Sequence, residues 1–353
     1  MSVDSAVSIP ALLLEWYGRS ARRLPWRAPP GAPATDPYRV WLSEVMLQQT
    51  TVAAVGKYFA EFTRRWPNVE ALASADDAEV MAAWAGLGYY ARARNLLACA
   101  RAVAAGGGEF PDTEAGLRAL PGIGDYTAAA VAAIAFGRRA VVVDANVERV
   151  VARLFAIADP LPGARLAIRC AAASITPDLR PGDFAQAMMD LGATICTPRR
   201  PACVLCPLRG DCAAFRSGDP ERLPVKARKA ARPTRKGSAF WLEADGHVLL
   251  VRRPDRGMLG GMRALPSGPW TDAEPGLTDA PATVEWRTAG TVTHVFTHFA
   301  LDLAVLVGEG RDCEAPGEWW PVERIDDAGL PTLFAKAAAL AQKTRRTVGE
   351  EQI

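Results

Sequence analysis

The chain has 353 residues, half of them hydrophobic, and its 41 Lys and Arg against 39 Asp and Glu leave a formal net charge of +2. That length favours two domains with real cores, and the longest apolar runs, such as AAAVAAIAF at 128–136, fall far short of the roughly 18 residues that span a bilayer, so no membrane segment is expected. The opening MSVDSAVSIPALLLEW lacks the basic region, apolar stretch and small-residue cleavage site of an export signal, so a cytoplasmic protein is expected.

From Ala11 to about Phe215 the apolar spacing is near 3.6 and the turns are marked by Pro and Gly, which predicts an all-α region. Trp26 and Arg27 stand in LPWR, followed by the Ala/Pro-rich APPGAPAT. Asp36 before Pro37 predicts an N-cap and a helix running to about Leu47. Within it, VWLSEVMLQQTTV carries Glu44 where the spacing calls for an apolar residue, with Val40 and Trp41 one turn before and Leu47 one turn after. For an arbitrary helix, such a Glu lays its stem on the apolar stripe and reaches solvent with its head. Gln48 to Thr51 predicts a turn, with Thr50 or Thr51 capping the next helix.

Further along, GLGYYARARN places Gly86 and Gly88 around Leu87 and ahead of Tyr89, with Arg92 and Arg94 behind; alone it reads as an interhelical turn with core aromatics. LRALPGIGDYTAAAVAAIAFG reads as helix, tight turn, helix, with Gly122 and Gly124 giving backbone freedom and leaving amides bare at the second helix's start. Such an end is an anion site, although a lone GxG also suits an ordinary connection. VVVDANVERV offers Asp144, which by itself is a plain helix cap.

CTPRRPACVLCPLRGDC sets Cys196, Cys203, Cys206 and Cys212 six, two and five residues apart. Four thiolates in one loop suit either tetrahedral zinc or a [4Fe-4S] cluster, and one compact loop rather than two separated CxxC pairs favours iron-sulfur. Disulfides are not expected in a reducing cytosol. Cys99, Cys170 and Cys313 read as small buried hydrophobes.

Between Arg216 and Lys236 eight cations face only Asp219 and Glu221, a solvated basic linker joining the regions. After it come AFWLEA, Asp245-Gly246 and HVLLVRR, which predict a hairpin; TVTHVF and FALDLAVLV, two more strands; and PTLFAKAAALAQK, a closing helix. The expected organisation is a helical domain at 1–216, a linker at 217–236, a smaller α+β domain at 237–343 and a tail at 344–353.

Several motifs together resemble one family. The C-x6-C-x2-C-x5-C loop is similar to the iron-sulfur loop of the endonuclease III and MutY group of DNA glycosylases, with Arg199, Arg200 and Arg209 suited to phosphates. LPGIG resembles that group's helix-hairpin-helix, whose amides grip a DNA phosphate. Lyase-competent relatives place a lysine just after the hairpin; Tyr126 stands there and cannot form a Schiff base, so base removal without efficient strand cleavage is expected. Asp144 and Asn146 match the group's V-D-x-N-V motif.

SEVMLQQT matches the MutY motif residue by residue, which implies that Glu44 is catalytic and that Gln48, Gln49 and Thr50 face the lesion-bearing strand. The resemblance also implies that Leu87 and Tyr89 form the wedge that holds the stack open, with Arg92 and Arg94 at phosphates. Trp26, Arg27 and Gln186 would form the adenine pocket. Asp190 matches a further position, whereas Ala185 and Glu148 depart from the residues relatives often carry.

The C-terminal part resembles the Nudix-like domain with which MutY enzymes inspect 8-oxoguanine. VRRPDRGMLGGMRALP supplies the strand and Gly-rich turn, with Leu259 for a usual Trp. Phe296, Thr297 and His298 resemble the lesion-sensing F-S-H loop, and no magnesium-holding R-E-x-x-E-E helix is present.

The expected fold class is therefore an all-α helix-hairpin-helix DNA glycosylase domain with a [4Fe-4S] loop, plus a smaller α+β Nudix-like domain. The expected activity is monofunctional removal of adenine opposite 8-oxoguanine or guanine in double-stranded DNA, by a nucleoid-associated monomer. That chemistry calls for two carboxyl groups in opposite states. Glu44 would be the protonated donor, raised by desolvation, and Asp144 the anion. An endonuclease III-like glycosylase/lyase and a noncatalytic DNA-binding protein are the competing readings.

Overall fold

The computed structural model describes residues 8–227, 232–254, 257–296, 298–310 and 315–350. Thr297, Cys313, Arg228 and Lys229 lie outside the described residues. The chain divides into two units, Met1–Arg228 and Lys229–Ile353.

The first unit is helical: α1 (Ile9–Ser20), α2 (Pro37–Leu47), α3 (Val52–Arg65), α4 (Val69–Ala73), α5 (Asp77–Ala83), α6 (Ala91–Ala105), α7 (Glu114–Arg118) and α8 (Asp125–Phe136). It continues with α9 (Ala145–Leu154), α10 (Arg165–Ile175), α11 (Pro181–Thr194) and α12 (Ala213–Arg216). Helix α2 starts as its sequence dictates: Pro37 opens the first turn, and the Asp36 carboxylate accepts from the Arg39 amide at 3.1 Å. It ends before Gln49, whose φ of +60° breaks the helix. The Thr51 hydroxyl then caps α3 by accepting from the Ala54 amide.

Helix α8 is buried from Thr127 to Ile134, and its alanines let α2, α7 and α11 pack closely around it. Two glycines of α11 set the approach. A Cβ on Gly182 would lie 2.5 Å from the Ala133 carbonyl oxygen, and one on Gly192 would lie 2.6 Å from the Asn146 Cβ. Gly192 thus lets α9 bring its N-terminus beside α11.

The second unit is a mixed sheet of β1 (Thr234–Ala244), β2 (His247–Arg252), β3 (Arg263–Ala264), β4 (Arg287–Val295), β5 (Ala300–Glu309) and β6 (Glu318–Pro321), with α13 (Thr332–Glu350) packed on it. The order is β3-β2-β1-β5-β4, β6 pairs with β2, and β1 and β5 run parallel. The Asp245-Gly246 turn has φ of +47° and +73°, as a two-residue hairpin requires. Strand β1 begins at Thr234, inside the stretch read as linker. The short β3 and β6 carried no alternating pattern long enough to predict. Trp241, Leu250, Leu301, Leu303 and Phe334 form the core of this unit. Among the described residues no helix is long and apolar enough to cross a membrane.

Candidate active site

Glu44 lies on the inner face of α2, only 6% exposed, so its head does not reach solvent as the common fate of such a residue would have it. Its Oε2 accepts a hydrogen bond from the Tyr126 hydroxyl at 2.7 Å, delivered from the first turn of α8. Burial raises its pKa above the ordinary carboxyl value, opposed by the Tyr126 bond and the charge of Arg27, while nearby Asp144 adds to the rise. Burial, with the charges of Glu44 and Asp144, pushes the Tyr126 phenol well above its ordinary value, so it stays a donor.

Asp144 is the N-cap of α9. Its Oδ1 accepts from the Val147 amide at 2.7 Å and its Oδ2 from the Asn146 side chain at 2.9 Å. Both oxygens therefore serve as acceptors at the positive end of a helix dipole, a setting suited to an anion. Asn146 is held in turn by Arg149, whose guanidinium donates to the Asn146 side chain and to the carbonyls of Gly192 and Cys196. Four residues on, Arg153 is 1% exposed and donates to the Cys196 sulfur and to the carbonyls of Thr197, Pro198 and Leu223. Sequence reading passed over both arginines. Their signal was the one that marked Glu44: charge at positions where α9 should be apolar.

Glu44, Asp144, Tyr126, Asn146, Arg27, Gln48, Gln49, Thr50, Gly122 and Gly124 line one open cleft of about 1110 Å³. Arg27 is placed there by Asp190, which is fully buried and accepts from Arg27 at 2.8 Å and from the Arg22 side chain at 2.6 Å. Trp26 and Gln186 are buried beside the cleft rather than lining it. Trp26 packs edge-on against Phe59, and Gln186 keeps an amide oxygen buried without a partner. The Ala/Pro-rich insert is tied back where the Gly31 amide donates to Asp183. Glu148, also lining the cleft, pairs with Arg165 at 3.3 Å.

At the hairpin only Gly122 has a left-handed φ, +71°, and a Cβ there would lie 2.5 Å from the Asn95 Cβ. Gly124 is extended, and a Cβ on it meets nothing within 4 Å. No side chain caps the start of α8, so its amides remain open toward the cleft. Asp125 beside them is neutralised by Arg118 at 2.9 Å.

The two residues expected to form the wedge part company. Tyr89 is 58% exposed, whereas Leu87 is 6% exposed and packs into the core. Arg92 does not face phosphates either: its guanidinium turns inward onto backbone carbonyls of α2 and of the wedge loop. Its Nε and the Trp41 indole N–H are buried without protein acceptors.

Cys196, Cys203, Cys206 and Cys212 are half-buried, unbridged thiols. Burial, together with the neighbouring thiols, pushes Cys206 up to about 11. At Cys206 a metal would therefore have to displace the thiol proton on binding. Four sulfurs in one loop, with Arg153 beside them to offset thiolate charge, fit a [4Fe-4S] cluster. Of the other cysteines, Cys99 is buried as expected, but Cys170 is exposed because it falls on the outer face of α10.

In the sheet unit, the Phe296 ring is anchored. It stacks on Trp270 at 5.5 Å, meets Phe299 at 5.0 Å and His294 edge-on at 4.7 Å. His298 beyond it is exposed. The Gly-rich turn includes Leu259 at φ +58°, and among the described residues no helix occurs between β3 and β4.

Comparison with known proteins accounts for this arrangement. The model of the HhH-GPD superfamily base excision DNA repair proteins matches residues 42–167, which hold both catalytic candidates. That of the iron-sulfur binding domain of endonuclease III matches 196–212, beginning and ending on a cysteine of the loop. The adenine DNA glycosylase of Homo sapiens is 37% identical over 94% of this chain and 73% of its own length. The chain belongs to the adenine DNA glycosylase family. The family's member from Buchnera aphidicola subsp. Schizaphis graminum is 28% identical over 92% of this chain and 96% of its own. A NUDIX domain model matches 238–340. Among solved structures, a thermostable thymine-DNA glycosylase matches with a TM-score of 0.53 and 31% identity, covering 59% of this chain and 95% of that one. As a member of the adenine DNA glycosylase family, the chain is a base-excision-repair enzyme with DNA as its partner and a [4Fe-4S] cluster as its cofactor.

Proposed function

We propose that this enzyme removes adenine mispaired with 8-oxoguanine, or with guanine, from duplex DNA, and that it acts as a monomer without opening the sugar. The observation that carries the reading is the buried Glu44, its pKa raised by that burial, bonded to Tyr126 in the cleft that also contains Asp144. Adenine turned out of the stack enters that cleft. Glu44 gives its proton to N7, the bond from N9 to C1′ breaks with its electron pair going to the base, and the cationic sugar forms beside the Asp144 carboxylate. Water then adds at C1′ and passes its proton to the Glu44 carboxylate, giving an abasic site and free adenine.

General acid catalysis of this kind is worth about 10²- to 10⁴-fold. The Tyr126 hydroxyl orients the donor, and no amine stands at that position to attack C1′. Each group lining the cleft belongs to one unit of one chain, so a monomer suffices. The exposed His298 next to the anchored Phe296 is where the sheet unit would inspect the opposite base, with Thr297 between them in sequence. Acting on chromosomal duplex would keep the protein with the nucleoid.

The experiment presents duplexes carrying A opposite 8-oxoguanine, A opposite T and oxidised pyrimidines, each read with and without alkali. Product only from the first, and mainly after alkali, is expected. Strand cleavage at oxidised pyrimidines without alkali would replace this reading with a glycosylase/lyase. No product from any duplex would leave DNA binding alone.

A further inference from the structure

The four Nη hydrogens of Arg92 are shared among six protein acceptors. Its Nη1 donates to the carbonyls of Val45 at 3.0 Å, Met46 at 3.2 Å and Gln48. Its Nη2 donates to the carbonyls of Leu87 at 3.1 Å and Gly88 at 3.3 Å, and to the Thr50 hydroxyl at 3.4 Å. The first set lies at the end of α2, where carbonyls lack helical partners. The second belongs to the loop that carries Tyr89. The guanidinium carbon also lies 5.6 Å from the Tyr89 ring centre and 5.3 Å from that of Trp84.

Two of these acceptors are unusual. The Gln48 and Gly88 carbonyls each precede a non-glycine residue held in the left-handed region, Gln49 at φ +60° and Tyr89 at φ +50°. Such conformations persist where the surroundings over-determine them, and they gather at working sites. One planar group therefore braces both strained turns at once. A lysine cannot replace it, since its donors radiate from a single nitrogen and cannot fork to two backbones.

We infer that Arg92 is a positioning residue that locks the lesion-facing turn Gln48–Thr50 and the wedge Tyr89 to the end of the helix bearing Glu44, so that base extrusion and proton delivery share one geometry. The inference rests on the function proposed above. Its prediction is selective: losing the fork impairs the step in which a paired adenine is turned out, and spares the proton transfer that follows.

The test uses full-length Arg92→Lys, Arg92→Met and Tyr89→Ala under single-turnover conditions. One duplex carries A opposite 8-oxoguanine; another carries A opposite an abasic site, where no pair opposes extrusion. On the paired duplex both Arg92 variants should fall by about 10²-fold, the scale of a misplaced site. On the abasic duplex the loss should be several-fold smaller, and the alkaline limb of the pH profile should stay in place. Tyr89→Ala, altering an exposed side chain that does not threaten folding, should show the same split, and combining it with Arg92→Met should add little. The inference is overturned by parental rates in Arg92→Lys on the paired duplex, by equal losses on both duplexes, or by a Tyr89→Ala variant without the split. A parent protein inactive on both duplexes would sink the functional reading, and this inference with it.

Discussion

In the helical unit, Glu44 is 6% exposed and its hydrogen-bond partner, Tyr126, comes from a helix 82 residues away in sequence. In the sheet unit, His298 is exposed on a short loop whose neighbour Phe296 is pinned by Trp270. On the proposed function the first arrangement needs burial, because burial raises the carboxyl's pKa. On the proposed function the second needs exposure, since it would meet an incoming base, and Phe296 is its packed anchor. If the core thus holds the chemistry and an anchored edge the recognition, as proposed, substitutions in the two places should fail in different ways.

The sharpest contrast comes from Glu44→Gln, which keeps the shape and an acceptor for Tyr126. Adenine release should fall by about 10²- to 10⁴-fold with duplex affinity retained. Its stability should move the other way. A carboxyl whose folded pKa is raised contributes stability that is complete at low pH and lost as pH rises through the folded value. The variant should therefore gain on the parent from pH 4.5, the ordinary value, upward. Denaturation across pH would read this directly.

Asp144→Asn should cost about 10²- to 10³-fold in release rate by removing the anion beside the sugar. Asn still caps α9, so melting should change little. Tyr126→Phe should have a smaller effect, at most roughly tenfold, for one lost hydrogen bond to a neutral carboxyl group. Because that hydroxyl lowers the Glu44 pKa, its loss should move the alkaline limb of the rate profile to higher pH. Phe296→Ala, at the other end of the comparison, should leave release opposite guanine unchanged. It should erode the preference for 8-oxoguanine only several-fold, the worth of an aromatic pair of about 0.5 to 1.5 kcal/mol.

Helix α2 was legible because its start is local: an Asp cap and a Pro at the first position fix it without help from the rest of the chain. Glu44 stood out as charge on an apolar face. The same signal at Arg149 and Arg153 went unread because α9 is short and rich in charge, and only the fold shows which charges face inward. Leu87 and Tyr89 looked alike in sequence, two apolar residues around a glycine. Burial of one and exposure of the other follow from the loop's path, which Arg92 sets through carbonyls that no side-chain pattern records. In the sheet unit the hairpin was plain from Asp245-Gly246, whereas β6 depends on pairing with β2, a contact from far along the chain.

The central claim is that Glu44 holds its proton near neutrality. Infrared difference spectra of parent and Glu44→Gln, taken across pH, test it with no substrate present. The account predicts a protonated-carboxyl band at neutral pH that the substitution abolishes and that fades only as pH rises above the ordinary glutamate range. A Glu44 already ionised at neutral pH would contradict it.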